Sequence, residues 1–177
     1  MARGSDTRQR IQAVARDLFR RNGVQKTSLQ AIAAELGITK PALYYHFASR
    51  EELVRSIVQP LIEDGEAFLR EQEKRTEVDQ RALLEGYFDF HFEHRDLIVL
   101  VLSEMPTLAE LGMIEIVLTW RHRLAELLFP PTPDLAQSTR AVMALGGLQD
   151  CTIQFPDVPR EQLREAAVTA AVATLTG

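Results

Sequence analysis

Between Ser28 and Phe47 the chain spells two helices of about two turns each with almost nothing between them, and this spacing restricts the fold more than any other feature. Thr27 and Ser28 are adjacent N-cap candidates, Gln30 stands at the capping-box position after Thr27, and Leu29, Ile32, Ala33 and Leu36 recur at helical period. Gly37 stops that helix. Only Ile38 separates the glycine from Thr39, a second N-cap, and Lys40-Pro41 then fills the first turn, where the N–H that proline lacks is not needed. Leu43 and Phe47, four residues apart, point inward on the second helix.

Two short helices joined by a turn of three or four residues have helix-turn-helix spacing, in which the second helix enters the DNA major groove and the first braces it. With Leu43 and Phe47 inward, Lys40, Ala42, Tyr44, Tyr45 and His46 fall around the exposed faces. Lys40 can donate to guanine edges or a phosphate, Pro41 and Ala42 offer apolar surface to a thymine methyl, and the tyrosine hydroxyls and His46 can donate to phosphate oxygens. Two adjacent helical residues cannot both face a core, so at least one of Tyr44 and Tyr45 is expected on the DNA side. Ahead of this unit, Asp6 or Ser5 can cap a helix with Ile11, Val14, Ala15, Leu18 and Phe19 as its stripe, ended by Asn22-Gly23. Its outer arginines, Arg8 among them, read as a solvated face, although those near the start could reach a phosphate. Behind the unit, Ser49 opens a further helix with Glu52 at the capping-box position. Arg50 in that first turn opposes the helix dipole, which favours phosphate binding over capping.

Charge follows the same division. From Met1 to Arg55 ten Lys or Arg stand against five Asp or Glu, and from Ser56 to Gly177 ten stand against twenty, so the basic part is the one a polyanion would approach. The longest unbroken apolar run found in the C-terminal half, Leu97 to Leu102, falls far short of the ~20 residues of a membrane helix. No apolar stretch follows the basic N-terminus as a secretory signal requires, so a cytoplasmic protein without membrane contact is expected. Cys151 is the only cysteine, which excludes an intrachain disulfide and reads as a small buried hydrophobe.

The order Thr-Ser, Ile-Ala, Leu-Gly-Ile-Thr, Leu-Tyr-Tyr-His-Phe and Ser-Arg-Glu-Glu-Leu resembles the DNA-binding domain of the tetracycline-repressor (TetR) family of bacterial regulators, over roughly Thr7 to Arg55. The block Leu43 to Phe47 is its most diagnostic part. The resemblance implies DNA contacts by Ser28 and Gln30 on the bracing helix and by Thr39, Lys40, Pro41, Ala42, Tyr44, Tyr45 and His46 on the recognition helix, with Arg50 clamping a phosphate. It also implies an all-α homodimer that binds an inverted repeat in double-stranded DNA and rearranges when a small molecule enters the C-terminal domain. The domains expected are 1–50, a three-helix DNA-binding unit, and 51–177, a helical bundle for ligand binding and dimerisation.

Read on its own, the second part gives helices near Asp79–His94, Leu97–Leu102, Leu108–Phe129, Leu135–Phe155 and Pro159–Thr176, bringing the count to nine with no convincing strand. Pro60 is expected to kink the helix begun at Ser49. The stretch Leu97 to Leu102 is expected to be interior, with Pro106 marking its end, and Leu111, Ile114, Leu118 and Leu124 to form an inward face beside Trp120. Candidate contacts for a largely apolar effector are Tyr87, His91, His94, Trp120 and Gln149, with Phe90 and Met105 as wall. Small-residue faces on the last two helices allow close helix approach, within the chain or between copies; the resemblance implies a two-fold interface, placed through Ala144, Gly147, Leu148, Cys151, Leu163, Ala167, Ala170, Ala171 and Thr174. His91 and His94 could share a metal with Asp89 or Glu104, but they lack the further ligands such a site needs; no metal, cofactor or catalytic residue is expected. The rival reading is an all-α enzyme or carrier that binds a metal or small molecule in the bundle, the N-terminal helices serving as a protein docking module. No paired Glu-x-x-His, activated nucleophile or phosphate-binding glycine loop supports it.

Overall fold

The computed structural model describes residues 2–103, 105, 109 and 112–176, and every regular element among them is an α-helix. In chain order these are α1 (Ala2–Asn22), α2 (Leu29–Glu35), α3 (Lys40–His46), α4 (Arg50–Glu73), α5 (Gln80–Glu93), α6 (Arg95–Ser103), α7 (Met113–Leu128), α8 (Leu135–Gln154) and α9 (Arg160–Thr176). The chain divides into two compact units, one of residues 1–60 and 100–112 and one of residues 61–99 and 113–177. Pro60 lies within an uninterrupted α4, at the boundary between them.

In the first unit Ile11, Ala15 and Phe19 of α1, Ile32 of α2, Leu43 and Phe47 at α3, and Leu53, Val54, Ile57 and Val58 of α4 are all buried. These are the stripes expected from periodicity. Three local details differ. Helix α1 already runs from Ala2, so neither Ser5 nor Asp6 caps it. Ser28, in extended geometry, caps α2 by accepting from the Ala31 N–H. Thr27 is instead buried, its hydroxyl donating to the Gly23 carbonyl at 2.9 Å, so no capping box links it to the exposed Gln30. At α4 the Ser49 hydroxyl accepts from the Glu52 N–H, while Glu52 reaches back to the N–H of Ala48 rather than that of Ser49.

In the second unit α5, α7, α8 and α9 share one core that includes Leu83, Leu84, Phe88, Leu124, Leu128, Leu145, Leu148, Leu163 and Val168. Two expectations about the helices after α5 fail. Val99 and Leu102 are 44% and 46% exposed, so of the run Leu97 to Leu102 only Ile98 is buried. Leu118, placed on the inward face of α7, is 60% exposed and Ile114 half-buried; Leu124 is buried as expected, together with Met113, Trp120, Ala125 and Leu128. Glu104, Pro106, Leu108 and Leu111 lie outside the described residues.

Ion pairs bind the helices of this unit from outside. Arg164 and Arg160 of α9 reach Glu85, Asp89 and Glu93 of α5 at 3.0 to 3.5 Å. Arg123 of α7 forks between Glu66 and Glu73 of α4 at 2.9 and 2.7 Å. Hydrogen bonds from Arg123 hold both carboxyls below their ordinary value of 4.5. A carboxyl whose folded pKa is depressed contributes stability that is present above its unfolded value and is lost as pH falls through the folded one. Unfolding free energy measured from about pH 6 to about pH 3 should therefore fall more steeply in the native chain than in Arg123→Met. Parallel curves would remove the assigned role of this fork.

Candidate nucleic-acid interface

Helix α3 is short, and its geometry is imposed at both ends. Thr39, in extended geometry, caps it by accepting from the Ala42 N–H, and Pro41 follows in the first turn. Gly37, with φ of 65°, makes the turn from α2 in a region that only glycine enters freely. Leu43 and Phe47 fix the inward side. The other end is held by a residue whose structural role the sequence did not show: Arg8 donates to the His46 carbonyl at 2.6 Å and lies over the Phe47 ring at 4.1 Å. Carbonyls in a helix's last turn lack partners within it, so a guanidinium there satisfies one and complements the dipole. Arg8 is 38 residues away in sequence, and no local pattern could have announced it.

With both ends fixed, Thr39, Lys40, Pro41, Ala42, Tyr44 and Tyr45 are all exposed, Tyr45 at 87%. Both tyrosines are therefore out, not one. Lys40 Nζ sits 5.5 Å from the Tyr44 ring centroid, and the Tyr45 and His46 rings meet edge-on at 5.3 Å, so cation and aromatics are held in pairs. Ser28 and Gln30 are exposed as well. Together with Leu29, Lys40, Tyr44, Ala48, Ser49, Arg50 and Glu51 they line an open cleft of ≈ 420 Å³. Nine of the ten expected DNA contacts are thus on the surface with their polar atoms free of any core role, or, for His46, half-buried beside it.

Arg50 is the exception in kind. Its guanidinium donates to the Gln25 carbonyl at 3.2 Å and to the Gln25 side chain at 3.4 Å, and pairs with Glu51 at 3.7 Å. In this state it ties the turn before α2 to the start of α4. The Glu51 carboxyl is held below its ordinary value by N–H groups of its own helix start and by Ser49, with Arg50 adding to this.

The expected effector residues separate. Tyr87, His91 and Trp120 are buried in the second unit, Phe90, His94 and Gln149 are half-buried there, and Met105 is exposed in the first unit. The Tyr87 and His91 rings lie 4.3 Å apart, and Phe90 touches both histidines at 5.2 and 4.9 Å. Trp120 donates to Glu66 at 2.9 Å. The metal set does not converge: Asp89 is taken by Arg160 and Arg164, and His94 pairs with Asp64 at 3.3 Å. Among the described residues no group of three potential ligands comes together. Of the nine residues expected at a dimer interface, Ala144, Leu148, Leu163, Ala167 and Ala171 pack into the chain's own core. Gly147 and Ala170 are exposed, and Cys151 and Thr174 half-buried; burial and Asp150 raise the Cys151 thiol's pKa, keeping it protonated.

Comparison with known proteins shows what the part of the chain that carries this surface is similar to. Residues 11–57 match the family described as "Bacterial regulatory proteins, tetR family". The match takes in the helix-turn-helix, so the N-terminal domain is similar to the DNA-binding domain of TetR-family regulators. The HTH-type transcriptional regulator TtgR of Pseudomonas putida is 36% identical over 74 residues, which is 42% of this chain and 35% of that protein. The chain thus spans about a third of the length of the curated relatives it first matches. Solved structures extend the likeness in fold to nearly the whole chain. A TetR-like transcriptional regulator from Rhodococcus sp. RHA1 superposes with a TM-score of 0.75 at 23% identity, covering 96% of this chain and 95% of that one. A transcriptional regulator from Aquifex aeolicus VF5 gives 0.74 at 21%, covering 94% and 98%.

Proposed function

We propose that the chain is a ligand-responsive transcriptional repressor that binds an inverted repeat as a homodimer and is released from it by a small-molecule effector. One observation carries the reading: α3 is fixed at both ends, and its outward side presents Lys40, Pro41, Ala42, Tyr44 and Tyr45 together, a set able to contact phosphates and base edges. The basic N-terminal part draws that face to DNA, and the acidic remainder is repelled by the same polyanion. Localisation in the cytoplasm, with access to DNA, belongs to the same proposal; no helix among the described residues is long and apolar enough to cross a membrane.

A two-fold reader needs a two-fold protein. We place the interface on the exposed side of α8 and α9. Ala166, Ala170 and Ala173 line up at i, i+4 and i+7 on α9, all exposed, and α8 exposes Met143 and Gly147 four apart. Small exposed side chains permit close helix approach between copies. The effector acts only if it binds one conformer of the dimer better than the other, since an equal affinity for both shifts nothing.

The direct test is to select, from the source genome at a stated salt concentration, the fragments that the purified chain retains. Recovered sites should be two-fold symmetric, with half-sites about 34 Å apart centre to centre. A monomer by sedimentation, or sites without symmetry, would overturn the dimeric reading.

A further inference from the structure

The second unit contains a cation without a counter-ion. Arg121, half-buried on α7, donates through Nη2 to Gln149 of α8 at 3.2 Å, while its Nε–H is buried and has no partner. No carboxylate lies within ion-pair distance of it among the described residues, although every other interhelical arginine of this unit's α7 and α9 ladders has one. Beside it stand two side chains of α5. The Tyr87 hydroxyl is buried against the Arg121 guanidinium. His91 is only 7% exposed, and its Nδ1 is a second buried polar atom without a partner. Burial, Arg121 and His94 push the His91 pKa down to about 3, so the imidazole is neutral and can carry its proton on Nδ1.

The three groups share one chemistry. A guanidinium Nε–H, a phenol O–H and a neutral imidazole N–H are all available as donors, whereas a carboxylate is acceptor-only and takes several such bonds at once. Polar atoms buried without partners are rare in folded proteins and call for an explanation, and a ligand that supplies the missing acceptors is one. Asp150, whose charge is felt at Tyr87, is exposed and makes no ion pair with Arg121, so it does not fill that role. Next to the donors the surface is apolar: Phe90 meets His91 at 5.2 Å and stacks on Phe68 at 6.3 Å.

We propose that Arg121, Tyr87 and His91 bind the carboxylate of an amphipathic monocarboxylic acid whose apolar body lies against Phe90 and Phe68, and that such an acid is the chain's effector. The second half rests on the ligand-responsive reading above; the first stands without DNA. It adds a charged end to the largely apolar effector expected from the sequence, and it gives a role to Arg121, which the sequence analysis does not single out.

Calorimetric titration of the full-length, DNA-free chain tests the site. The probes are octanoate, phenylacetate and benzoate, each beside its neutral counterpart, 1-octanol, 2-phenylethanol and benzyl alcohol. At least one acid should bind, and its alcohol should bind about tenfold more weakly or worse, because charge-assisted hydrogen bonds are roughly twice as strong as neutral ones. Arg121→Met, which keeps the apolar stem, should erase that preference. Should Arg121→Met fail to fold by circular dichroism, Arg121→Lys and Tyr87→Phe carry the test, each weakening the acid several-fold without touching the alcohol. No binding by any acid, equal binding of acid and alcohol, or unchanged affinity in the variants overturns the site. Acid binding that leaves operator affinity unchanged keeps the site and overturns its role as effector site.

Discussion

Alanine at both Lys40 and Tyr44 is expected to abolish specific operator binding while the chain stays folded. Neither side chain supports the core, since Lys40 is exposed and Tyr44 is 43% exposed, and alanine is the best helix former, so α3 should persist. What disappears is the paired cation and ring held 5.5 Å apart on the outward side. A base contact is worth about 1–3 kcal/mol and a phosphate contact somewhat less, so removing two such interactions from each half-site of a dimer comes to on the order of a thousandfold or more. The remaining, non-specific affinity should also respond differently to salt. Taking one lysine away from a phosphate lowers the slope of log affinity against log salt by about one. Gel-shift or fluorescence-anisotropy titrations at several salt concentrations read both effects, and full retention of binding would sink the assignment of this face.

The helix-turn-helix was legible because its determinants are local. Ser28, Gly37, Thr39 and Pro41 each act on neighbours within four residues, and the structure uses each as periodicity and capping rules require. Where it departs, another partner equally close in sequence wins: Thr27 gives its hydroxyl to Gly23, and Glu52 goes to Ala48, each four residues away. The long-range ties were not legible. Arg8 on His46 and Arg50 on Gln25 join residues 38 and 25 positions apart, and no spacing rule reaches that far. The same limit governed α7. Its residues Ile114, Leu118 and Met113, Val117 offer two competing apolar stripes, and only the position of Trp120, fixed by α4, selects between them. The bundle's ion pairs likewise take shape only once α5 and α9 lie side by side, which is why Arg121 stands out as unpaired only in the folded chain.

That selection by α4 gives the second large effect. Gly65→Ala should destabilise the chain, although the same exchange within a helix is ordinarily favourable. Placed on Gly65, a Cβ would lie 2.5 Å from two atoms of the Trp120 ring and 3.2 Å from a third. The ring cannot easily give way. It is 8% exposed, and its Nε1 donates to Glu66, which in turn accepts from Arg123. Moving the indole therefore pulls on the α4–α7 fork as well as on the core. Removing a glycine from a helix interior gains about 0.5–1 kcal/mol, whereas overpacking a tight core costs typically 1–3 kcal/mol, so the clash outweighs the propensity. Gly147→Ala supplies the opposite case in the same unit. Nothing lies within 4 Å of a Cβ at Gly147, so the exchange there should raise the stability of the isolated chain by about the propensity gain alone. Thermal unfolding, followed through the single tryptophan, separates the two signs. If both variants melt higher than the native chain, then Trp120 does not seat against Gly65 as described. If Gly147→Ala melts higher in dilute protein and loses that advantage as concentration rises, the added methyl is obstructing a second copy, which is where the proposed interface places it.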